Sequence, residues 1–290
     1  MYPELFSIGP ITITSFGTMI VLAFLVSNYL LRKNFEEFGY KPEYADDIVF
    51  RAALGGILGA KIYFLIENYT IAADNIGGLG KIFYGLITLD FNLVSDGIQL
   101  FGAGLVFLGG LIGGLLLVTH YIYKKSLNWY VVADFTAPLI ALGHGIGRIG
   151  CFLVGDDYGV PTTLPWGVSF PNGAPPSTAF NIAQTGCPIP EGTMYSDVLA
   201  VHPTQLYEMT AYFIIFYFLT SLLKKKHIRG EIFVNYLFLA GLARFVVEFI
   251  RLNPRYYFDL SGAQYISILM MLTGIICHYL LRKNNIDNVS

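Results

Sequence analysis

Long apolar stretches alternate with short polar segments along most of the chain. Seven of these stretches approach the roughly 20 mostly apolar residues that a helix needs to cross a bilayer. They cover residues 11–31, 48–66, 101–123, 131–154, 204–223, 232–250 and 260–281. This pattern predicts an all-α polytopic membrane protein whose seven transmembrane helices form a single transmembrane domain over residues 1–290.

Composition agrees with a membrane protein, because 54% of the 290 residues are hydrophobic and only 13% are charged. The net charge of −2 and the absence of a long basic run exclude nucleic acid as the expected partner. Cys151, Cys187 and Cys277 are far apart and form no CxxC pair, so neither a disulfide framework nor a thiolate metal site is expected. Glu4 and the lack of an early Lys or Arg indicate that the first apolar segment is retained.

Lys and Arg residues in the loops predict the orientation of the spans, because they collect on the cytoplasmic side of a membrane. The loops of one side hold Arg32, Lys33, Lys41, Lys124, Lys125, Lys224, Lys225, Lys226, Arg229, Arg282 and Lys283. The loops of the other side hold only Lys81, Arg251 and Arg255. We therefore expect the N-terminus outside and the C-terminus in the cytoplasm.

Two loops on the predicted outer side are long. Residues 67–100 resemble an extracytoplasmic segment that lies at the membrane interface. Residues 156–201 hold seven of the 13 prolines and no Lys or Arg, which favours a small irregular extracytoplasmic head over a flexible linker.

Four basic residues, Arg51, Lys61, Arg148 and Arg244, remain within the spans. An ionisable group at bilayer depth costs several kcal/mol unless it is paired or hydrated, so each is a functional candidate. Arg51 is one turn from the cytoplasmic end of its span, where its side chain can reach the interface. The helical rise places the other three in the outer half of the membrane, as it does Glu248.

Spacing places several of these residues on common helix faces. Two stripes follow the i, i+4, i+7 pattern: His144, Arg148 and Cys151 on the fourth span, and Arg244, Glu248 and Arg251 on the sixth. His202 lies at the mouth of the fifth span, with Glu208 below it. The two charged stripes can face one cavity. The alternative is that Arg244 and Glu248 form a purely structural ion pair, but such a pair does not account for Arg148, which has no acidic neighbour on its own stripe. Glycines of the second, third and fourth spans provide small faces for close helix packing.

Arginine offers a planar fork of donors that matches a phosphate group, and it stays charged at any accessible pH. In a cavity open to lipid, the commonest phosphate is a phospholipid headgroup. Two outer arginines can hold such a lipid, or can stabilise a phosphate leaving group during attack on the adjacent carbon. No GxSxG, HExxH or P-loop pattern points to acyl hydrolysis, zinc hydrolysis or nucleotide use.

Four segments together resemble the bacterial prolipoprotein diacylglyceryl transferases. They are DFTAPLIALGHGIGRIGCFLVGDDYG (134–159), HPTQLYE (202–208), RFVVEFIR (244–251) and, more loosely, FGAGLVFLGGLIGG (101–114). The combination of HPTQLYE with GRIG is specific for that family or a close paralogue, whereas the glycine-rich segment alone is weak.

The resemblance implies seven spans with a small outer head, in the bacterial cytoplasmic (inner) membrane. It implies transfer of the diacylglyceryl group of phosphatidylglycerol to the lipobox cysteine thiol of prolipoproteins, which releases glycerol phosphate and needs no metal or organic cofactor. By motif position, Arg148 and Arg244 correspond to arginines that engage the lipid phosphate. Other positions that match or line the implied site are Lys61, Asp134, Cys151, Asp156, Gly159, His202, Gln205, Tyr207, Glu208, Glu248 and Arg251.

The chain departs from the family pattern at several positions. Leu108 replaces a histidine proposed in the family as a catalytic base, and Phe16 replaces a tyrosine. The remaining departures are Lys61 for an arginine, Cys151 for an asparagine and Asp156 for a glutamate.

These departures leave the base open, and His144 or His202 is the candidate to accept the thiol proton. Two other functions stay open at this point. One is a paralogue that acts on a different lipid or acceptor, and the other is a membrane protein that binds or transports lipid without chemistry.

Overall fold

A computed structural model of the chain describes residues 2–8, 11–70, 72–102, 104 and 106–287. A short hairpin opens the described chain, with β1 (Glu4–Ile8) and β2 (Ile11–Thr14) paired in a two-stranded sheet. Helices α1 (Ser15–Glu37), α2 (Glu43–Glu67), α3 (Ala72–Thr88) and α4 (Phe91–Gly102) follow, then α5 (Phe107–Lys124) and α6 (Trp129–Val154). The head region contains β3 (Val168–Ser169), α7 (Ala179–Gln184) and β4 (Ala200–Val201). Helices α8 (Thr204–Leu223), α9 (Glu231–Glu248) and α10 (Gly262–Asp287) complete the fold, with a 3₁₀ turn at Tyr257–Asp259.

Six of the described helices are long and apolar enough to span a membrane: α1, α2, α5, α6, α8 and α10. The predicted sixth span is α9, which is 18 residues long but carries Glu231, Arg244 and Glu248. The predicted fold class, a mostly helical polytopic membrane protein, is confirmed.

Several boundaries differ from the predicted spans. The first span begins at Ser15, because the apolar residues before it form β2. The third begins at Phe107, since residues 101–102 end α4 and Gly104 turns the chain with φ +77°. Apolar residues continue across that turn, so hydropathy alone merged two helices. The sixth span ends at Glu248, two residues before the predicted end.

The chain divides into two compact units. The first unit comprises Met1–Leu5, Thr14–Leu31 and Tyr130–Ser290, and the second comprises Phe6–Ile13 and Arg32–Trp129. In the second unit, α2 packs on α5 through glycines, as the sequence predicted. A Cβ on Gly55 would lie 2.5 Å from the Gly113 carbonyl oxygen, and one on Gly59 would lie 2.2 Å from that of Gly109. Side chains at these positions would force the two helices apart.

The predicted interfacial segment, residues 67–100, contains α3 and most of α4, which pack against each other in the second unit. The predicted head belongs to the first unit. Its small core is formed by Tyr158, Phe170, Ile182 and Val201, all of which are buried. Strand β3 pairs antiparallel with β4, so residues 156–201 fold back on themselves next to the start of α8.

Candidate active site

Glu208, in the second turn of α8, is the centre of a charged cluster in the first unit. Its side chain is completely buried, and each of its oxygens lies within ion-pair distance of a guanidinium group. Arg148 Nε of α6 lies 2.6 Å from Oε2, and Arg244 Nη1 of α9 lies 2.6 Å from Oε1. Arg251 Nη1, just beyond α9, lies 3.2 Å from Oε1. A buried carboxylate is tolerated when such partners offset its desolvation.

Two further carboxylates complete the cluster. Asp157 Oδ2 accepts from Arg148 Nη1 at 2.7 Å, and its Oδ1 accepts from Arg251 Nη2 at 2.6 Å. Glu248 Oε2 lies 2.9 Å from Arg244 Nη2, one helical turn away on α9. Three guanidinium groups therefore face three carboxylates, and Glu248 also reaches Arg251 at 3.6 Å.

The structural Arg244–Glu248 pair considered from the sequence is thus present, but Arg244 reaches Glu208 as well. Arg148 has no acidic neighbour on its own stripe, as the sequence indicated, but acidic partners reach it from α8 and from the loop after α6.

The loop that follows Glu248 holds this carboxylate in place. Asn253 Nδ2 and Ser261 Oγ donate to Glu248 Oε1 at 2.6 and 2.7 Å. Arg255 donates to the backbone oxygens of Glu248 and Phe249, which fixes the end of α9. Neither Asn253 nor Ser261 was singled out from the sequence.

Exposure differs sharply within the cluster. Glu208 and Glu248 are fully buried, whereas the side chains of Arg148, Arg244 and His144 are 13%, 22% and 34% exposed. Arg251 is 5% exposed. The accessible part of the cluster therefore consists of Asp157, whose side chain is 43% exposed, the predicted phosphate-binding arginines and a histidine.

His144 lies beside the same carboxylate. Its Nε2 is 3.3 Å from Glu208 Oε2, and its ring stacks on Tyr212 with 3.8 Å between centroids and 21° between planes. Tyr212 is one turn beyond Glu208 on α8, so a single helix orients the imidazole through two contacts. Sequence reasoning placed His144 on the Arg148 stripe but did not identify Tyr212.

The loop after α6 is held close to the start of α8. Thr204 Oγ1 donates to the Asp157 carbonyl oxygen at 2.6 Å, and Gln205 Nε2 donates to that of Asp156. Gly159 N–H donates to the His202 carbonyl oxygen at 2.9 Å and forms a β-bridge with Arg251. A Cβ on Gly159 would lie 2.4 Å from the Ile250 carbonyl oxygen, so only glycine permits this approach.

Asp156 and Asp157 are adjacent, but their pKa values are shifted in opposite directions. Burial raises the pKa of Asp156, and the neighbouring Asp157 charge raises it further. Desolvation works against the charged form of Asp157 too, but the guanidinium groups of Arg251 and Arg148 lower the pKa of Asp157 overall. Asp157 is therefore the carboxylate of this pair that is poised to stay ionised.

Cys151 lies at the edge of the cluster, with its buried Sγ 3.6 Å from Arg148 Nη1. Ligand atoms of Cys151, Asp156 and Asp157 lie within 4.8 Å of one another and could in principle hold a metal ion. Arg148 and Arg251 already neutralise Asp157, however, which places positive charge next to any cation bound there.

Two predicted site residues form a separate group in the first unit. His202 Nδ1 lies 3.2 Å from the Tyr207 hydroxyl, which also accepts from Trp166 Nε1 at 2.9 Å. Trp166 is 56% exposed, whereas His202 and Tyr207 are half-buried. His202 contributes its backbone oxygen, rather than its imidazole, to the loop that carries Asp157.

Lys61 belongs to the second unit. It is 5% exposed, donates to the Phe101 carbonyl oxygen and lies 4.7 Å from the Phe101 ring centroid. These contacts join α2 to the end of α4. Its predicted part in binding substrate stays a prediction.

Asp157 is the main site residue that sequence reasoning missed. The GDDYG segment was recognised, but only Asp156 was assigned a place in the site. The sequence signal that could have identified Asp157 was the pair of adjacent acidic residues, since two adjacent carboxylates at the end of a span are unusual without a basic partner.

The chain matches the family described as prolipoprotein diacylglyceryl transferase over residues 3–280. Three relatives are named phosphatidylglycerol–prolipoprotein diacylglyceryl transferase. That of Clostridium tetani is 33% identical over 278 residues, which cover 95% of this chain and 96% of that protein. That of Vibrio parahaemolyticus is 30% identical over 94% of this chain and 88% of its own length. That of Aeromonas salmonicida is 30% identical over 94% of this chain and 87% of its own length.

Proposed function

The chain belongs to the prolipoprotein diacylglyceryl transferase family, and from this membership we propose that it transfers a diacylglyceryl group from phosphatidylglycerol to prolipoproteins. The acceptor is the thiol of the lipobox cysteine in the prolipoprotein signal peptide. The sulfur forms a thioether bond to the terminal diacylglyceryl carbon, the bond between that carbon and the phosphate oxygen breaks, and glycerol phosphate leaves. The thiol gives up its proton to a base.

The convergence of Arg148 and Arg244 on Glu208 is the observation that carries the site assignment. Two guanidinium groups from different helices lie on the two oxygens of one buried carboxylate and keep part of their surface exposed. A guanidinium has five N–H donors, and the described contacts of Arg148 use at most three. In our proposal the remaining donors of Arg148 and Arg244 bind the lipid phosphate and stabilise the charge that grows as it leaves.

The carboxylates serve to position the arginines. Glu208 keeps three positive charges together, while Glu248 and Asp157 fix the second edges of Arg244 and Arg148. Arg251 is nearly buried and connects Glu208, Asp157 and Glu248, so we assign it to support rather than to direct phosphate binding. A preorganised cluster costs little rearrangement when the reaction occurs.

His144 is our candidate for the base, because it is the most exposed titratable group that contacts Glu208. If its Nε2–H donates to Glu208, the opposite nitrogen is free to take the thiol proton. His202 is the second candidate, but its imidazole pairs with Tyr207 rather than with Glu208. No step of this scheme requires a metal or organic cofactor.

We further propose that the protein lies in the bacterial cytoplasmic membrane, with the N-terminus outside and the C-terminus in the cytoplasm. The excess of Lys and Arg in the loops of one side supports this orientation. It places the Arg148 and Arg244 ends of their helices in the outer leaflet, where a translocated lipobox cysteine can reach them.

Purified protein should be incubated with phosphatidylglycerol and a lipobox peptide, and the mass of the peptide should then be measured by mass spectrometry. We expect the peptide to gain the mass of one diacylglyceryl group, and a matched peptide with serine for cysteine to gain nothing. Phosphatidylethanolamine in a parallel reaction tests lipid choice. A product from that lipid alone would identify a paralogue with a different donor, and bound lipid without any product would indicate a binding protein.

A further inference from the structure

The N-terminus of α9 is capped by a side chain from another helix. Asp134, in the second turn of α6, is 1% exposed. Its Oδ2 accepts from the Gly230 backbone N–H at 2.6 Å, and its Oδ1 accepts from that of Phe233 at 2.9 Å. His227 Nε2 lies 3.8 Å from Oδ2.

A cap of this kind joins two helices. The first four N–H groups of a helix lack partners within it, and the residue before the helix usually satisfies one of them. Here that residue is Gly230, which has φ +92° and no side chain to offer. The carboxylate of Asp134 takes over this role, so the start of α9 is tied to one position along α6.

The opposite ends of the same two helices meet at Glu208. Arg148 lies 14 residues after Asp134 on α6, and Arg244 lies 14 residues after Gly230 at the start of α9. At 1.5 Å per residue, both arginines stand about 21 Å from the cap. Over equal spans from the cap, Arg148 and Arg244 thus reach the two oxygens of one carboxylate at equal distances of 2.6 Å.

We propose that Asp134 is a positioning residue, which sets the axial register of α9 against α6 and thereby aligns Arg148 with Arg244. A slide of one residue moves Arg244 by about 1.5 Å, which is enough to lose a hydrogen bond. The effect on transfer rests on the proposed function, whereas the effect on register does not.

The register is measured by the distance between two spin labels. Ile140 on α6 and Val246 on α9 are 46% and 56% exposed and are suitable labelling sites. The labels are introduced after the three native cysteines are replaced by serine. We expect Asp134→Ala to shift or broaden the distance distribution by about 1.5 Å or more. Asp134→Asn keeps one acceptor oxygen and should give a smaller change, and it replaces the alanine variant if that protein does not fold.

Glu231→Ala is the matched control. Glu231 also accepts at the start of α9, from the Ile228 N–H at 3.0 Å, but its side chain is tied to Arg282 of α10 rather than to α6. Its loss should lower the melting temperature and leave the Ile140–Val246 distance unchanged.

Transfer activity is then measured in proteins with native cysteines. We expect kcat/KM to fall at least about tenfold in Asp134→Ala and to stay within about twofold of wild type in Glu231→Ala. In an Arg244→Lys background, Asp134→Ala should cost less than it does in the wild-type protein, because the two residues act through one alignment.

An unchanged label distance in Asp134→Ala would overturn the proposal, as would a changed distance with wild-type activity. A full additional loss of activity in the Arg244→Lys background would overturn it too. If the wild-type protein forms no product, the proposed function fails, but the label distance still decides whether Asp134 sets the register.

Discussion

Arg148 and Glu208 lie on different helices, α6 and α8, and their ion pair of 2.6 Å connects an accessible guanidinium to a fully buried carboxylate. The carboxylate has no exposure through which water could replace the arginine. Any loss of charge at Glu208 therefore leaves Arg148, Arg244 and Arg251 close together without their common partner.

Glu208→Gln should strongly destabilise the protein. Removing one partner of a buried ion pair typically costs about 3–5 kcal/mol, because the remaining charges stay desolvated. The unfolding free energy in mixed micelles is the measurement. Glu231→Gln is the control, since its partner Arg282 is 61% exposed and a pair of that kind contributes no more than about 1 kcal/mol. Equal losses for the two variants would argue against Glu208 as the centre of the cluster.

Gly159→Ala should lower both stability and transfer activity. The added Cβ would collide with the Ile250 carbonyl oxygen and with Thr204 Cγ2, which are 2.4 and 2.8 Å from its position. The bridge to Arg251 would open, and Asp157 would lose its place between two arginines. Gly80→Ala serves as the control, because nothing lies within 4 Å of its added Cβ. Melting temperatures and initial rates that match for the two variants would show that the close approach is unimportant.

Asp156→Asn and Asp157→Asn should have opposite pH dependences of stability. The pKa of Asp157 is lowered on folding, so its stabilisation is present above the ordinary carboxyl pKa of about 4 and is lost as the pH falls below it. Asp157→Asn should therefore melt at a lower temperature than wild type at pH 7, and this gap should shrink below about pH 4.

The pKa of Asp156 is raised on folding, so its charge is unfavourable above that raised pKa. Asp156→Asn should match or exceed the stability of wild type at pH 7, and this advantage should disappear as the pH falls toward 4, about the ordinary carboxyl pKa. The melting temperatures of both variants should be compared with wild type from about pH 3 to 8, a range that includes the ordinary carboxyl pKa. Parallel curves for the two variants would contradict the assigned environments.

His144→Ala should reduce kcat more than His202→Ala does. General bases contribute about 10²–10⁴-fold, and His144 lies beside Glu208 whereas His202 is paired with Tyr207. Single-turnover rates with saturating lipid separate the chemical step from binding. A larger loss of kcat in His202→Ala would transfer the assignment to that residue, and small losses in both would point to another base.

The six helices long and apolar enough to span a membrane could be predicted from the sequence, because apolar runs of that length have few other structures available to them. The stripes His144–Arg148 and Arg244–Glu248 followed from helical spacing and both reach the cluster. Hydropathy could not locate the turn at Gly104, since apolar residues lie on both sides of it.

Helical spacing could not predict which residues of other elements pair with these stripes. Arg148 pairs with Glu208 of α8 and with Asp157, which enters the site through a loop conformation with φ +59°. Helical periodicity relates residues within one helix and says nothing about which helices adjoin. The cap that Asp134 provides to α9, 96 residues away in sequence, was hidden for the same reason.

The transfer rate of Arg148→Ala, measured beside wild type by the mass gain of a lipobox peptide, tests the role of the arginine pair most directly. Arg282→Ala, an exposed arginine outside the cluster, controls for loss of charge. We expect wild type and Arg282→Ala to form the diacylglyceryl peptide at similar rates, and folded Arg148→Ala to be at least about 100-fold slower. A wild-type rate from Arg148→Ala would contradict the account.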